Sequence, residues 1–187
     1  NHIQIYLNPL CTGLKSTVLL VVGSTNTYIR EHVTEELADG YTVLANKQTS
    51  GKGRLGRSFF SPEGTGVYLS MLLRPQNYSA EQAMRITTIA SVAACEAIEE
   101  VSGKTASIKW VNDVYVDGKK ICGILTEAET DFESGQVQSI IIGIGVNIGI
   151  DHLPDELQNI AGSLPSATFK RNELIARITN HLIPLVM

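Results

Sequence analysis

Cysteine and histidine are too few and too scattered in this chain for a metal site or a disulfide framework. There are three cysteines, an odd number, and no pair of them has the C-x-x-C spacing of zinc and redox sites. Two of the three lie in apolar stretches, which predicts buried, reduced thiols. The four histidines are far apart and have no metal-ligand spacing. We therefore expect no metal ion held by histidine or cysteine, and a reducing compartment.

Long apolar runs and a general excess of positive charge are absent as well. No stretch approaches the roughly 20 apolar residues of a membrane helix, and the run at 140–150 is interrupted by glycines and Asn147. Residues 18–22 are too short for a signal peptide and lack a basic leader. A net charge of −4 argues against nucleic-acid binding, which normally needs a basic face. These absences predict a cytoplasmic protein that spans no membrane and for which DNA is not an expected partner.

What the sequence does contain is one local basic cluster. Residues 46–57 (NKQTSGKGRLGR) hold three glycines, four cations and no acidic residue. Glycines allow a backbone to approach a ligand closely, and N–H groups with nearby cations bind anions. A solvent-exposed basic turn is the structural alternative. In an otherwise acidic protein, the cluster favours a small anionic ligand over a polyanion.

The secondary-structure pattern indicates a single α+β domain. Ser24, Thr25 and Asn26 offer N-cap side chains for one helix, and 79–82 has capping-box form for a longer one. The dipeptide Asp117-Gly118 predicts a two-residue hairpin turn. Consecutive hairpins imply antiparallel pairing, so we predict a mixed, largely antiparallel sheet with helices on one face. The predicted strands are 17–22, 42–46, 67–73, 108–110, 113–116, 120–129 and 137–147, and the predicted helices are 24–38, 79–101 and 171–183.

Two nucleotide-binding motifs can be set aside. Residues 51–56 match G-x-G-x-x-G, and 51–58 are one residue from a P-loop. Both motifs require a helix directly after the glycines. Here a loop with Pro62 and then a predicted strand follow, so neither motif applies.

Other polar clusters lie near the ends of the predicted strands, and together with the basic cluster they resemble a known family. The chain is similar to the catalytic domain of biotin protein ligases, the biotin–[acetyl-CoA-carboxylase] ligases. The resemblance covers roughly residues 17–150. Its six ordered motifs are GSTN at 23–26, Gln48 followed by GKGRLGR at 51–57, FSP at 60–62, KWVND at 109–113, KICGIL at 120–125 and GIGVN at 143–147.

The resemblance implies a fold, a reaction and partners. The fold is the biotin-lipoate ligase catalytic fold, which is like that of class II aminoacyl-tRNA synthetases, with residues 1–187 as one catalytic domain. Neither an N-terminal DNA-binding region nor a C-terminal small β-domain is evident. The reaction uses ATP and Mg²⁺ to convert biotin into biotinyl-5′-adenylate, and then transfers biotin to a lysine of a biotin carboxyl carrier protein. A homodimer is a further implied possibility.

The resemblance also assigns candidate roles. The expected catalytic residues are Lys120, Arg54, Lys109 and Asp113. The expected biotin-binding residues are Ser24, Thr25, Asn26, Gln48, Lys52, Gly53, Arg54 and Lys120. The expected ATP or adenylate contacts are Arg54, Arg57, Lys109, Asn112, Asp113 and Asn147. Asp113 could orient Lys109, hold Mg²⁺ or accept the proton of the target lysine, and Asn147 could instead only close a turn.

Two departures and two alternatives remain. The family usually has arginine at the position of Lys52, which keeps the charge without the planar fork, and proline at the position of Val111. One alternative function is a lipoate or octanoate ligase, which shares the fold and the acyl-adenylate chemistry. The other is a biotin-sensing repressor, which would require a DNA-binding region upstream.

Overall fold

The structure, a computed structural model, describes residues 3–33, 37–76, 78–165 and 171–187. Seven strands form one sheet in the order β1-β2-β3-β7-β6-β5-β4. Strands β1 and β2 are parallel and every other neighbouring pair is antiparallel. The strands are β1 (Ser16–Leu19), β2 (Thr42–Ala45), β3 (Val67–Leu73), β4 (Ala106–Lys109), β5 (Asp113–Val116), β6 (Lys119–Thr130) and β7 (Val137–Val146), and the helices are α1 (Thr25–His32), α2 (Ala80–Ser102) and α3 (Arg171–Val186). The predicted mixed, largely antiparallel α+β fold is confirmed.

The two long helices cover one face of the sheet. Helices α2 and α3 pack on each other and enclose the main core, to which β7 contributes Ile140, Ile142 and Ile144. The capping box at the start of α2 is present: Ser79 Oγ accepts from Gln82 N, and the Gln82 side chain accepts from Ser79 N. Helix α2 ends at Gly103, whose φ of 67° is the left-handed conformation that favours glycine there.

The short helix α1 lies on the opposite face, so the prediction of helices on one face holds only for α2 and α3. Ile29 of α1 packs with Val43, Leu72 and Ile141 in a second, small cluster. These three strand residues alternate with neighbours that face the main core, because successive side chains of a strand point to opposite faces. The face that carries α1 is called the front face below.

Several predicted boundaries are wrong. The first strand ends at Leu19 rather than at residue 22, β4 begins at Ala106 rather than at 108, and α3 continues to Val186 rather than ending at 183. Helix α1 ends at His32 because Val33 adopts an extended conformation, whereas the prediction ran to Ala38; residues 34–36 of that predicted helix lie outside the described ranges. Leu37 then packs on the same small cluster as Ile29, which it reaches from a non-helical segment. The hairpin turn at Asp117-Gly118 is confirmed, with φ of 51° and 73°.

The front face carries small and polar residues next to α1. On β7, Gly143 and Gly145 alternate with the core isoleucines. Gly123 of β6 lies directly opposite Gly145 in the strand register, and Ser70 of β3 lies opposite Gly143. The three glycines Gly123, Gly143 and Gly145 therefore form a shallow surface with few side chains, which is called the glycine floor below.

Candidate functional site

A narrow cleft with a cavity volume of about 50 Å³ lies above the glycine floor. Helix α1, the glycine loop at 51–59 and the strands β3, β6 and β7 form its walls. A side chain at Gly143 would overlap with Asn26, since an added Cβ would lie 2.2 Å from Asn26 Oδ1. At Gly145 an added Cβ would lie 2.5 Å from the Phe59 ring. The glycines are therefore needed for these two side chains to reach the sheet.

The glycine loop is a short hairpin with its own hydrogen bonds. Gly53 N donates to Arg57 O at 2.7 Å, and Phe59 N donates to Gly51 O at 2.8 Å. A Cβ at Gly51 would lie 2.4 Å from Phe59 O, so this close pairing requires glycine. Leu55 at the tip has a φ of 56° and is 90% exposed. Lys52, Gly53 and Arg54 line the cleft from this hairpin.

One wall of the cleft is a chain of hydrogen-bonding side chains. Ser24 caps α1 and Thr25 follows it; Thr25 N and Thr25 Oγ1 both lie within hydrogen-bonding distance of Gln48 Oε1, at 2.9 and 3.1 Å. Gln48 Nε2 donates to Ser61 Oγ at 2.9 Å, and Ser61 Oγ donates to Phe59 O at 3.0 Å. Helix α1 is thereby tied to both ends of the loop segment. The sequence motifs that contain Ser24 and Gln48 meet in one wall.

The chain of hydrogen bonds continues on the front face, between α1 and the floor. Ser70 Oγ lies 2.7 Å from Thr25 Oγ1 and 2.6 Å from Asn26 Oδ1. Asn26 Nδ2 donates to Glu127 Oε2 at 2.8 Å and lies 3.4 Å from Leu125 O. Ser70, Thr25 and Asn26 are all buried.

The other end of the cleft is cationic. Arg54 Nη1 donates to Asn112 Oδ1 at 3.0 Å, and Asn112 Nδ2 donates to Asp113 Oδ1 at 3.0 Å. Lys120 Nζ pairs with the same Asp113 oxygen at 2.8 Å. Two cations from separate motifs, Arg54 and Lys120, therefore share the cleft with a single carboxylate beside them.

The structure brings most of the predicted site residues together. Those that line the cleft are Ser24, Thr25, Asn26, Gln48, Lys52, Gly53, Arg54, Asn112 and Lys120. Asp113 is in contact with them through Asn112 and Lys120.

Three predicted residues lie away from the cleft lining. Arg57 is exposed at the base of the hairpin, where its carbonyl accepts from Gly53. Lys109 is exposed, with Nζ 5.7 Å from the centre of the Tyr115 ring. Asn147 is buried and its Nδ2 donates to Gly162 O at 3.0 Å. The Oδ1 atom of Asn147 has no hydrogen-bond partner among the described residues.

The sequence reasoning missed Ser70, Phe59 and Glu127 as parts of the site. Phe59 lies against Gly123 and Gly145, and it lines the cleft. Ser70 is the only aliphatic hydroxyl residue in the buried strand β3, whose other residues are apolar or aromatic, and this is a detectable signal. Glu127 lies four residues after Gly123 on the same strand, and the period of two places both on one face.

Burial favours the neutral form of two side chains near the cleft, Cys122 and Tyr68, by raising the pKa of each. It raises the pKa of Cys122, whose thiol is fully buried behind the floor, with Lys120 partly opposing the shift. Burial likewise raises the pKa of Tyr68, against the opposing effects of the Thr65 hydrogen bond and the Arg171 charge. Neither group is therefore an ionised nucleophile at neutral pH. The chemistry available in the cleft is charge neutralisation and hydrogen bonding.

The described ranges contain neither a metal-binding cluster of His, Cys, Asp or Glu side chains nor a helix suited to a membrane. No group of three or more His, Cys, Asp or Glu side chains there could hold a metal ion. None of the described helices is both long and apolar enough to cross a bilayer.

Comparison with known proteins gives consistent matches. The Biotin/lipoate A/B protein ligase family matches residues 18–147. The bifunctional ligase/repressor BirA of Bacillus subtilis (strain 168) is 39% identical over 165 residues, which are 87% of this chain and 50% of that protein. The biotin–[acetyl-CoA-carboxylase] ligase of Paracoccus denitrificans is 38% identical over 108 residues, which are 57% of this chain and 43% of that protein. The chain thus spans about half the length of the curated relatives that it matches first.

A solved structure agrees with these relatives. The biotin protein ligase of Aquifex aeolicus in complex with biotin and ATP superposes with a TM-score of 0.78 and 30% identity. The match covers 92% of this chain and 70% of that one.

Proposed function

Because the chain belongs to the Biotin/lipoate A/B protein ligase family, we propose that it activates biotin and attaches it to a carrier protein. In the first step the biotin carboxylate attacks the α-phosphate of ATP, which gives biotinyl-5′-adenylate and releases pyrophosphate. In the second step a lysine of a biotin carboxyl carrier protein attacks the acyl carbon and releases AMP. The solved relative that binds biotin and ATP supports both substrates.

The observation that carries the proposal concerns the hydrogen-bonded side chains on one side of the cleft, Asn26, Ser70, Thr25 and Gln48, which are called the polar wall. These side chains have fewer hydroxyl protons than oxygen–oxygen contacts. Three oxygen–oxygen contacts link Asn26, Ser70, Thr25 and Gln48, at 2.6, 2.7 and 3.1 Å. Only two of these groups, Ser70 and Thr25, carry a hydroxyl proton, and both amide oxygens can only accept. One contact therefore lacks a proton, so the wall has an acceptor to spare. A ligand that brings N–H donors satisfies it.

Biotin has the matching chemistry. Its ureido ring supplies two N–H donors and one carbonyl acceptor, and the Ser24 hydroxyl and the second hydrogen of Gln48 Nε2 can donate to that carbonyl. Lipoate offers a dithiolane ring without N–H groups, so it would leave this acceptor capacity unused. The polar wall therefore favours biotin over the lipoate or octanoate alternative.

The cationic end fits the reacting groups. A carboxylate that approaches a phosphate brings two anions together, and fixed cations offset their repulsion. Lys120 and Arg54 line the same cleft as the polar wall, and we assign them to the biotin carboxylate and the α-phosphate. Lys52 and Gly53 cover the ligand from the hairpin. Asn112, which lines the cleft, remains a candidate nucleotide contact, as do three residues outside the lining, Arg57, Lys109 and Asn147.

Mg²⁺ would reach the site with the nucleotide. The ion usually binds one or two carboxylates together with substrate phosphates and water, so it does not need a cluster of three protein ligands. Asp113 would hold it: its Oδ1 accepts from Lys120 and Asn112, while Oδ2 has no hydrogen bond to any described residue. Bound there, the ion would supply further charge neutralisation at the phosphates.

Wider properties follow as proposals. A cytoplasmic location is supported by three free cysteines, which a reducing compartment maintains. A homodimer is supported by β6, since no described strand pairs with residues 125–130 on the edge away from β7; sedimentation equilibrium would test it. The net charge of −4 gives the repressor alternative no support. The continuous sheet beneath the cleft supports residues 1–187 acting as one catalytic domain.

The direct test is adenylate formation followed by transfer. The protein is incubated with Mg-ATP and either biotin or lipoate, and the acyl adenylate is detected by mass spectrometry before a carrier domain is added. We expect biotinyl-adenylate, then a biotinylated carrier, and no lipoyl product. Lys120→Met should reduce adenylation at least about 100-fold because it removes the cation at the reacting carboxylate.

The matched control for Lys120 is Lys104→Met. Lys104 is an exposed lysine paired with Asp117 at 2.6 Å, away from the cleft, so its loss should leave the rate unchanged. Equal activity of Lys120→Met and the wild type, or a preference for lipoate, would overturn the proposal.

A further inference from the structure

Glu127 lies outside the lining of the cleft but contacts one of its buried members. Its Oε2 accepts from Asn26 Nδ2 at 2.8 Å, and its Oε1 pairs with Arg30 Nη2. Glu127 belongs to β6, whereas Asn26 and Arg30 lie one turn apart on α1. The carboxylate is thus held between a solvent-facing cation and a buried amide.

Two acceptors face the Asn26 amide nitrogen: Glu127 Oε2 at 2.8 Å and, farther away, the Leu125 carbonyl oxygen at 3.4 Å. A carboxylate only accepts, so the amide nitrogen of Asn26 must face it. The amide oxygen then faces Ser70 Oγ at 2.6 Å and can only accept there. In the reversed amide, oxygen would face the Glu127 carboxylate, and two acceptors would meet in a buried site. Glu127, the nearer and charged acceptor of the two, is therefore the main determinant of the amide orientation.

The orientation of the Asn26 amide determines which groups donate and which accept along the polar wall. Since Asn26 Oδ1 takes the single hydroxyl hydrogen of Ser70, none is left for Thr25 Oγ1, 2.7 Å away. The Thr25 hydroxyl also has a single hydrogen, which it can donate either to Ser70 Oγ or to Gln48 Oε1. If the amide were reversed, its NH₂ group would donate to Ser70, the Ser70 hydrogen would turn to Thr25, and the shortage of protons would end.

We propose that Glu127 is a positioning residue for ligand selection. It orients Asn26 so that the wall keeps a spare acceptor lone pair for a ligand N–H group. The inference rests on the proposed function, because the N–H groups are those of the biotin ureido ring. Glu127 acts through Asn26 and Ser70 and does not touch the ligand.

The competing explanation is a tether. The Arg30–Glu127 ion pair also joins α1 to β6, and its loss alone could loosen the cleft. The two explanations differ in which contact of the Glu127 carboxylate matters. A tether needs the ion pair, whereas orientation of Asn26 needs only an acceptor at the position of Oε2.

Four variants separate orientation from tethering. Glu127→Leu removes the acceptor and the ion pair, and should raise the KM for biotin at least about tenfold while the KM for ATP changes little. Arg30→Met removes the ion pair and keeps the acceptor, so the KM for biotin should stay within about threefold. In Glu127→Gln, one amide oxygen must serve either Arg30 or Asn26, which should give an intermediate KM.

The decisive variant is the double substitution Glu127→Gln with Arg30→Met. Without the arginine, the glutamine oxygen is free to accept from Asn26, so the KM for biotin should return towards the wild-type value although the ion pair is gone. A tether predicts no recovery. A double variant no better than Glu127→Gln alone, or an Arg30→Met KM equal to that of Glu127→Leu, would overturn the inference.

The same assays keep the two proposals apart. If the wild type forms no biotinyl-adenylate, the proposed function fails and the inference fails with it. If the wild type is active and the four KM values follow the tether pattern, only the inference fails. Should Glu127→Leu fail to fold, as judged by circular dichroism, the comparison of Glu127→Gln with the double variant remains decisive.

Discussion

At the scale of single residues, the site depends on side chains that are absent as much as on those present. Gly143 lies on the front face of β7 directly beneath Asn26. Its neighbours in the strand, Ile142 and Ile144, are buried in the main core, so the strand cannot move away. A methyl group at Gly143 must therefore displace the asparagine.

Gly143→Ala should raise the KM for biotin at least about tenfold, because each 1.4 kcal/mol corresponds to a factor of ten. The added Cβ would lie 2.2 Å from Asn26 Oδ1, which would push the amide away from Ser70. Steady-state kinetics of adenylate formation measures the change. Gly123→Ala is the comparison: its Cβ would lie 3.3 Å from the flexible end of Lys120 and from Phe59, so a smaller increase is expected. The reverse order would contradict this account of the floor.

The sequence predicted the residues of the site better than the contacts between them. Ser24, Gln48, Arg54 and Lys120 were identified by their motifs, and they meet in one cleft. Glu127 could not be assigned a role in the same way. Its partner Asn26 is about a hundred residues away, and their contact depends on the register of β6 with β7. Local pattern does not determine such a register contact.

At the scale of elements, prediction succeeded where the local signals were strong. The boundaries of β3 and β5, the capping box of α2 and the Asp117-Gly118 turn were all anticipated. It failed at the end of α1, where Leu37 packs on the Ile29 cluster without helical structure. A tertiary contact of this kind overrides helix propensity and has no local signature.

The glycine loop at 51–59, which forms a hairpin, is expected to become more ordered when ligand binds. Lys52, Arg54 and Arg57 lie within six residues and repel one another, and a bound anion would relieve that repulsion. The free hairpin has few hydrogen bonds and an exposed tip at Leu55. Trypsin should therefore cleave after Arg54 and Arg57 more slowly, by about tenfold or more, once biotin and Mg-ATP are added.

The internal control for this proteolysis is Lys104, an exposed site in the turn after α2. Its cleavage rate should not change with ligand, since the turn is outside the cleft. Peptide mapping by mass spectrometry follows all three sites in one digest. Equal cleavage of the hairpin with and without ligand would show that ligand binding does not order it.

At the scale of the whole molecule, the sheet separates the main core from the candidate site. The main core lies on the face covered by α2 and α3, whereas the cleft lies on the face that carries α1. Ile144 and Gly145, adjacent on β7, therefore serve different purposes: one is buried in the core, and the other makes room for Phe59. Substitutions on the core face should thus change the free energy of unfolding more than the KM for biotin.

The buried thiol of Cys122 should make the free energy of unfolding depend on pH. Burial raises the pKa of its thiol above the ordinary value of 9.0, so the folded protein keeps this proton at pH 10 while the unfolded chain loses it. The stabilising contribution of this thiol is therefore fully present below pH 9 and is lost as the pH rises above that value. From pH 8 to pH 10 this thiol should lower the free energy of unfolding by about 1.4 kcal/mol. Urea unfolding at both pH values measures the loss, and Cys122→Ala should show a smaller one, although its cavity lowers stability at each pH. An equal loss in both proteins would mean that the Cys122 thiol does not keep its proton in the folded state.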